Sequence, residues 1–373
     1  MEKYSQFRDK GTAIAPFFPV STPPSSAVWT PVHIFLFTIR APAVFCLSIF
    51  HFVILEFLPV GSFVRRCLLW LLLAVPGVWW VDLQVDGVKR GYGYTHPAMA
   101  GFHSTPLSFY YAWRSISAEN AARNRKLAVS PDHLPYEGTI IASSFTSPLD
   151  PLYLAGIFSP IFTRSYPSTR KVEPISLFRA ILLAFSNPTV DPPNPKLLVT
   201  LEELKNNNPR SIICVFPECT TTNGRGILPF SPSLLTADPK TRIYPVNLRY
   251  TPGDITTPVP GSALSWFWRL LSKPTHIMRV RVARPTYNNA AAGTPNGVDE
   301  SIATGYDTNI FDSPGYKNGY VQQEKEGEGK ASKNEQEVLD RIGEDLARLG
   351  RVKRVGLDVQ DKIDFVKVWS KRR

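Results

Sequence analysis

The chain has 373 residues, a formal net charge of +11 and 43% hydrophobic residues, which suits one large α/β domain with additions. The positive excess asks for an anionic partner. With no zinc knuckle, RNA-binding signature or long Lys/Arg-rich helix in the sequence, nucleic acid is excluded in favour of phospholipid headgroups or coenzyme phosphates. Cys46, Cys67, Cys214 and Cys219 show neither metal-ligand spacing nor a disulfide pattern, so no metal and no bridged scaffold is expected.

Residues 1–31 are rich in Pro and lack a basic segment leading straight into an apolar core, so they read as an extended arm and not as a signal peptide. From 32 to 81 the composition turns apolar. Ala41 to Leu58 is an 18-residue run interrupted only by His51 and Glu56, and Cys67 to Val81 is a second run containing Trp70, Trp79 and Trp80. At ~1.5 Å per residue the first is about long enough for a ~30 Å hydrocarbon core, and the second falls short. Pro59, Gly61, Arg65 and Arg66 separate them. The preferred reading is a hydrophobic hairpin embedded in a membrane, its Trp pair marking an interfacial end. A pair of buried core helices is the alternative.

Residues 82–285 read as an α/β domain. Val81 to Gly87 alternates as an edge strand, and residues 109–126 suggest a surface helix or an insertion. Gly138 to Ser143 is a second strand, running through Ser144 to Pro148 into an apolar helix that ends near Phe158. Asp150 stands at that helix's start, a favourable place for a carboxylate. Leu177 to Phe185 predicts a helix and Asn187 to Pro193 a rigid loop. Leu197, Leu198, Leu201 and Leu204 mark one face of an amphipathic helix. Arg242 to Tyr250 and His276 to Ala283 are further strands, and Ala263 to Leu271 is an aromatic helix that faces either a membrane or the core. Residues 286–333 turn polar and read as a disordered linker. The last segment, 334–373, reads as a basic helical extension, with Val338, Ile342, Leu346 and Leu349 at helical spacing. Its end, with Lys367, Lys371, Arg372 and Arg373, lies either on anionic lipid or in solvent.

One stretch organises the rest. Ser211 to Phe216 is a β-branched strand that Pro217 stops, since proline has no N–H for the ladder. Glu218, Cys219, Thr220, Thr221, Thr222, Asn223, Gly224 and Arg225 follow. Sheets of α/β proteins present ligand-binding groups at this edge. A polar turn would carry hydroxyls too, but a Glu and an Arg straddling it suit a charged small molecule.

This stretch resembles the F-P-E-G-T-x-x-x-G-R box of the glycerolipid acyltransferases, membrane enzymes that acylate glycerol phosphate and lysophosphatidic acid from acyl-CoA. Cys219 stands where the family has Gly. Tyr244-Pro245-Val246 is similar to a late motif of the family. The opening Met1-Glu2-Lys3-Tyr4 resembles its fungal members of the endoplasmic reticulum and lipid droplets. The resemblance implies a mixed central sheet flanked by helices, with the hydrophobic hairpin before it and the partly disordered extension after it. It further implies acyl-CoA as co-substrate with no bound cofactor, and lysophosphatidic acid and membrane lipids as partners. It assigns Glu218, Thr220, Asn223, Gly224 and Arg225 to the acceptor's glycerol phosphate, a guanidinium being suited to phosphate by its forked donors.

In the family the base is the His of an H-x-x-x-x-D motif whose Asp holds the imidazole. Here the motif reads Phe145-Thr146-Ser147-Pro148-Leu149-Asp150, and a phenyl ring takes no proton. Two readings follow. One is an acyltransferase in which Asp150 acts directly or through a water; the other is a lipid-binding pseudoenzyme that keeps the phosphate clamp. A hydrolase using Ser143, Ser144 or Ser147 lacks the Gly-x-Ser-x-Gly elbow.

Overall fold

Short β-branched runs build the sheet, and longer runs with a one-sided apolar stripe build the helices around it. The computed structural model describes residues 2–20, 27–55, 61–86, 133–289 and 331–371. First come α1 (Thr30–Ile49), α2 (Ser62–Ala74) and β1 (Val78–Val85). After them follow β2 (Ile140–Ser143), α3 (Leu149–Phe158), β3 (Ile161–Arg164), β4 (Glu173–Ile175), α4 (Leu177–Leu183), α5 (Leu201–Asn207) and β5 (Ile213–Val215). Then come β6 (Gly226–Ile227), β7 (Arg242–Thr251), α6 (Ala263–Ser272), β8 (His276–Val282) and β9 (Thr286–Tyr287). The chain closes with α7 (Lys333–Gly350), β10 (Lys353–Arg354) and α8 (Val359–Ser370).

The main sheet runs β1-β8-β7-β2-β5-β3-β4, with β9 added to β7. β2 lies parallel to both β5 and β7, while β7–β8 and β3–β4 are antiparallel. This is the mixed α/β sheet flanked by helices that the sequence leads one to expect. Ile141, Cys214, Tyr244, Val246 and Leu248 pack in one cluster with α2, α3, α4 and α6. Ile140, Ala142, Ile213, Val215 and Ile243 pack on the other face with α5 and α7. Burial of both faces explains why the parallel strands are continuous apolar runs. Each buried Val, Leu or Ile among them contributes about 1.5–3 kcal/mol on leaving water.

Three segments differ from expectation. The second apolar run is no single helix: it divides at Gly77 into α2 and β1. Gly77 has φ +91°, and any Cβ there would strike the Pro274 carbonyl. Leu69, Trp70, Leu72 and Leu73 of α2 are buried in the domain core, and Trp79 and Trp80 stand exposed on β1. Second, the segment expected to be linker begins as folded chain, because β9 pairs with β7 and the Asn288 amide donates to the carbonyls of Leu235 and Ala237 at 2.9 Å each. Residues 290–330, the bulk of that expectation, lie outside the described residues, as does the 109–126 segment.

Third, the C-terminal helices are built into the domain. The stripe of α7 needed cover, and Leu339, Ile342 and Leu346 find it on the sheet. Ser332 and Glu335 form a capping box at its start, and Glu335 is gripped by both terminal nitrogens of Arg170 at 2.7 and 3.0 Å.

Among the described residues, Thr30–Ile54 is the helix long and apolar enough to cross a membrane. No residue of α1 is buried, and Phe35, Ile39 and Phe45 stand in the open. One side of α1 rests on α6, with the Phe37 and Trp268 rings 4.9 Å apart. Arg40, midway along α1, donates to the carbonyls of Lys273 at 2.6 Å and Pro274 at 3.1 Å.

Candidate active site

β2 and β5 are parallel neighbours whose outgoing connections run in opposite directions, towards β3 and towards β7. A crevice at the carboxyl end of such a pair is where open α/β sheets bind ligands. The turn after β2 carries Phe145 to Asp150, and the turn after β5 carries Glu218 to Arg225.

Asp150 lies in the first turn of α3 and is fully buried. Its Oδ2 accepts from the Thr146 amide at 2.6 Å, the Ser147 amide at 3.0 Å and the Thr146 hydroxyl at 3.1 Å. Its Oδ1 accepts from the Tyr250 hydroxyl at 2.5 Å. Burial pushes the carboxyl up to about 6, and the bonds from Tyr250, Thr146 and Ser147 pull against that rise. No histidine of the described residues bonds to it. Phe145 is buried and stacked on Phe216, ring centroids 4.5 Å apart, and forms part of an aromatic wall. The Ser143, Ser144 and Ser147 hydroxyls are buried and bonded to backbone groups, so none is presented as a nucleophile.

In the second turn Glu218 points inward. Its Oε2 accepts from the Leu228 amide at 3.2 Å, and its Oε1 is buried with no hydrogen-bond partner among the described residues. Burial pushes its carboxyl up. Cys219 adopts φ +58°, a left-handed conformation that glycine fits and a Cβ resists. Thr220 and Thr221 are buried around Lys362 of α8, itself 1% exposed. The Lys362 ammonium donates to the Thr220 hydroxyl at 2.8 Å, the Thr221 carbonyl at 2.6 Å and the Thr221 hydroxyl at 2.9 Å. Burial pushes this amine down from its ordinary value, with the Glu218 charge opposing.

Asn223 is spent on the N-terminal arm. Its amide donates to the Ala15 and Phe18 carbonyls at 2.8 and 2.9 Å, and its Oδ1 accepts from the Arg225 amide at 3.1 Å. Gly224, at φ +69°, then turns the chain so that the exposed Arg225 faces a cavity of about 370 Å³. Thr146, Asn223, Gly224, Arg225 and Tyr250 line this cavity together with further arginines. Thus Arg225 and Gly224 line the cavity beside Asn223, whose amide is spent on the arm, whereas Asp150, Glu218 and Thr220 are not part of its wall.

Two residues of the site escaped the sequence reading. Tyr250 had one available signal: it follows Val246 and Leu248 on the inward face of β7. Lys362 had a fainter one, lying three residues from both Val359 and Phe365 on the buried stripe of α8.

The chain is 26% identical over 285 residues to a Schizosaccharomyces pombe protein named "Putative lysophosphatidic acid:oleoyl-CoA acyltransferase". The match covers 75% of this chain and 83% of that protein. It supports an acyltransferase family and a general transferase role. No family model and no solved structure matches the chain.

Proposed function

We propose that the protein moves an acyl group from acyl-CoA to the free hydroxyl of lysophosphatidic acid, giving phosphatidic acid. The observation that carries this reading is the Asp150–Tyr250 pair at the wall of the cavity that Arg225 lines. Phe145 takes no proton, but Tyr250 bridges from the cavity to a carboxylate whose raised pKa suits it to general-base work. The acceptor's hydroxyl proton passes to the Tyr250 oxygen as Tyr250's own proton moves to Asp150 Oδ1. The hydroxyl oxygen bonds to the thioester carbonyl carbon. Collapse of the tetrahedral adduct breaks the C–S bond, and the CoA thiolate takes back the proton held by Asp150 through Tyr250. The phenol's own ionisation is pushed well up by burial and by the Asp150 charge, so the two transfers are concerted.

Arg225 meets the acceptor phosphate, and Glu218, Thr220, Asn223 and Lys362 hold the turn that presents it. The exposed apolar surface of α1, with Leu264 and Phe267 of α6 and the β1 tryptophans, supports seating on a lipid membrane. Arg40 fastens the middle of α1 to the domain, which favours an in-plane helix over one crossing the bilayer. The endoplasmic reticulum or lipid droplet is the residence such an enzyme would have.

The buried Phe145 ring favours a second reading, a lipid-binding protein without turnover. Acyl transfer from labelled oleoyl-CoA to lysophosphatidic acid, with Tyr250→Phe beside wild type, separates the two. The enzyme reading expects turnover that Tyr250→Phe lowers with acceptor binding unchanged. An inert wild type that still binds the acceptor through Arg225 would leave the binding reading.

A further inference from the structure

The register of two strands places like charges face to face. On the antiparallel pair β7–β8, Arg249 stands opposite Arg279, and on the adjoining rung of the same face Arg281 stands opposite Asn247. Opposed side chains of such a pair have Cβ atoms roughly 4.5–5.5 Å apart, where like charges destabilise the sheet. Asp82 of β1 completes the first rung, one carboxylate for two guanidiniums. Arg225 from the β5 turn and Arg351 from the end of α7 reach the same cavity, so five guanidiniums line about 370 Å³. Among the described residues none of the five is ion-paired with a carboxylate.

Arg249 and Arg281 each give one N–H to a carbonyl at the end of α7, Gly350 at 2.9 Å and Leu349 at 2.6 Å. These bonds orient the two guanidiniums and leave most of their donors unspent. Burial first, then the charges of Arg351, Arg279 and Arg249, push the Arg281 guanidinium below its ordinary value, with Asp82 opposing. A cluster of this kind persists where a multivalent anion relieves it. A lone phosphomonoester is met by one or two guanidiniums through bidentate bonds. Five exceed that need.

We infer that this cavity binds a ligand carrying several phosphate groups and, resting on the acyltransferase reading, that the ligand is the 3′-phospho-ADP end of acyl-CoA. Arg249, Arg279, Arg281 and Arg351 take its diphosphate and its 3′-phosphate, and Arg225 is left for the acceptor. The surroundings fit an acyl chain at the far end of the same molecule. Trp80, Ile277 and Thr251 form the next rung on this sheet face, one two-residue step of about 7 Å from the arginine rung, and Trp80 and Ile277 are exposed.

The test is calorimetric titration of the full chain in detergent with CoA, with pantetheine and with lysophosphatidic acid in the same micelles. Wild type is expected to bind CoA and not pantetheine, with an affinity that falls as salt rises. Arg249→Gln/Arg279→Gln should lose CoA affinity by roughly tenfold to hundredfold and raise KM for oleoyl-CoA, with lysophosphatidic acid affinity kept. The double variant removes a like-charge rung, so its Tm should equal or exceed that of wild type. If it does not fold, Arg281→Gln and Arg351→Gln singly read the same CoA affinity. Unchanged CoA affinity in the folded variants would overturn the inference. So would loss of lysophosphatidic acid affinity with CoA affinity intact, which assigns the arginines to lipid phosphate. A wild type that binds CoA through these arginines yet transfers no acyl group would overturn the acyltransferase reading and leave the phosphate site standing.

Discussion

The turns leaving β2 and β5 lie side by side, and they treat charge in opposite ways. The β2 turn encloses its carboxylate: Asp150 receives four donors and is shut off behind Thr146 and Tyr250 beside the Phe145–Phe216 stack. The β5 turn starts buried at Glu218 and ends exposed, with Arg225 on a cavity rich in guanidiniums. The exposed end of the β5 turn brings a guanidinium to the wall of that cavity. Asp150 itself is not part of the cavity wall, but two of the residues that donate to it, Thr146 and Tyr250, are.

This contrast can be broken at its strongest point first. Tyr250→Phe and Asp150→Asn, measured by single-turnover acyl transfer, should each lower kcat by ~10²–10⁴, with acceptor binding nearly unchanged. Arg225→Gln acts on the other turn. It should raise KM for lysophosphatidic acid by roughly tenfold to hundredfold and move kcat little, since it deletes charge-assisted bonds to a phosphate. Lys362→Met tests whether α8 holds the second turn. Leaving the Thr220 and Thr221 acceptors without their donor should cost about 1–3 kcal/mol, read as a lowered thermal midpoint. The smallest effect is a gain: Cys219→Gly relieves a left-handed backbone and should add about 1 kcal/mol in urea unfolding.

Much of the fold was legible because its signals are local. Ser211 to Phe216 and Gly138 to Ser143 announce strands by β-branching, and the stripe of Val338, Ile342 and Leu346 announces α7. The split of the second apolar run had a local signal in Pro76-Gly77, a turn dipeptide, but the close approach of the Pro274 carbonyl to Gly77 depends on the tertiary fold. The Glu218–Arg225 box was legible as a polar turn at a strand's end, yet nothing local told which of its members would line the cavity. Asn223 is turned to the N-terminal arm by contacts some 200 residues distant in the chain, Nδ2 to Ala15 and Phe18. Lys362, Tyr250 and the Arg249–Arg279 rung likewise depend on register and on helix docking. A pattern of residue types carries neither.

The pH dependence of kcat bears most directly on the role given to Asp150. Its carboxyl is held at about 6, above the ordinary 3.8, so the proton-accepting form is lost as pH falls through about 6. The same shift has the opposite sign for stability. The folded state is favoured most below 3.8 and loses that advantage as pH rises through about 6, so Asp150→Asn should be the more stable at pH 8, by up to about 3 kcal/mol. The measurement to make is kcat for oleoyl transfer between about pH 5 and about pH 8, on wild type and Asp150→Asn. An acid limb near pH 6 in wild type, absent from the residual rate of Asp150→Asn, is the expected result. A wild-type limb that survives in Asp150→Asn would contradict the assignment of the proton to Asp150.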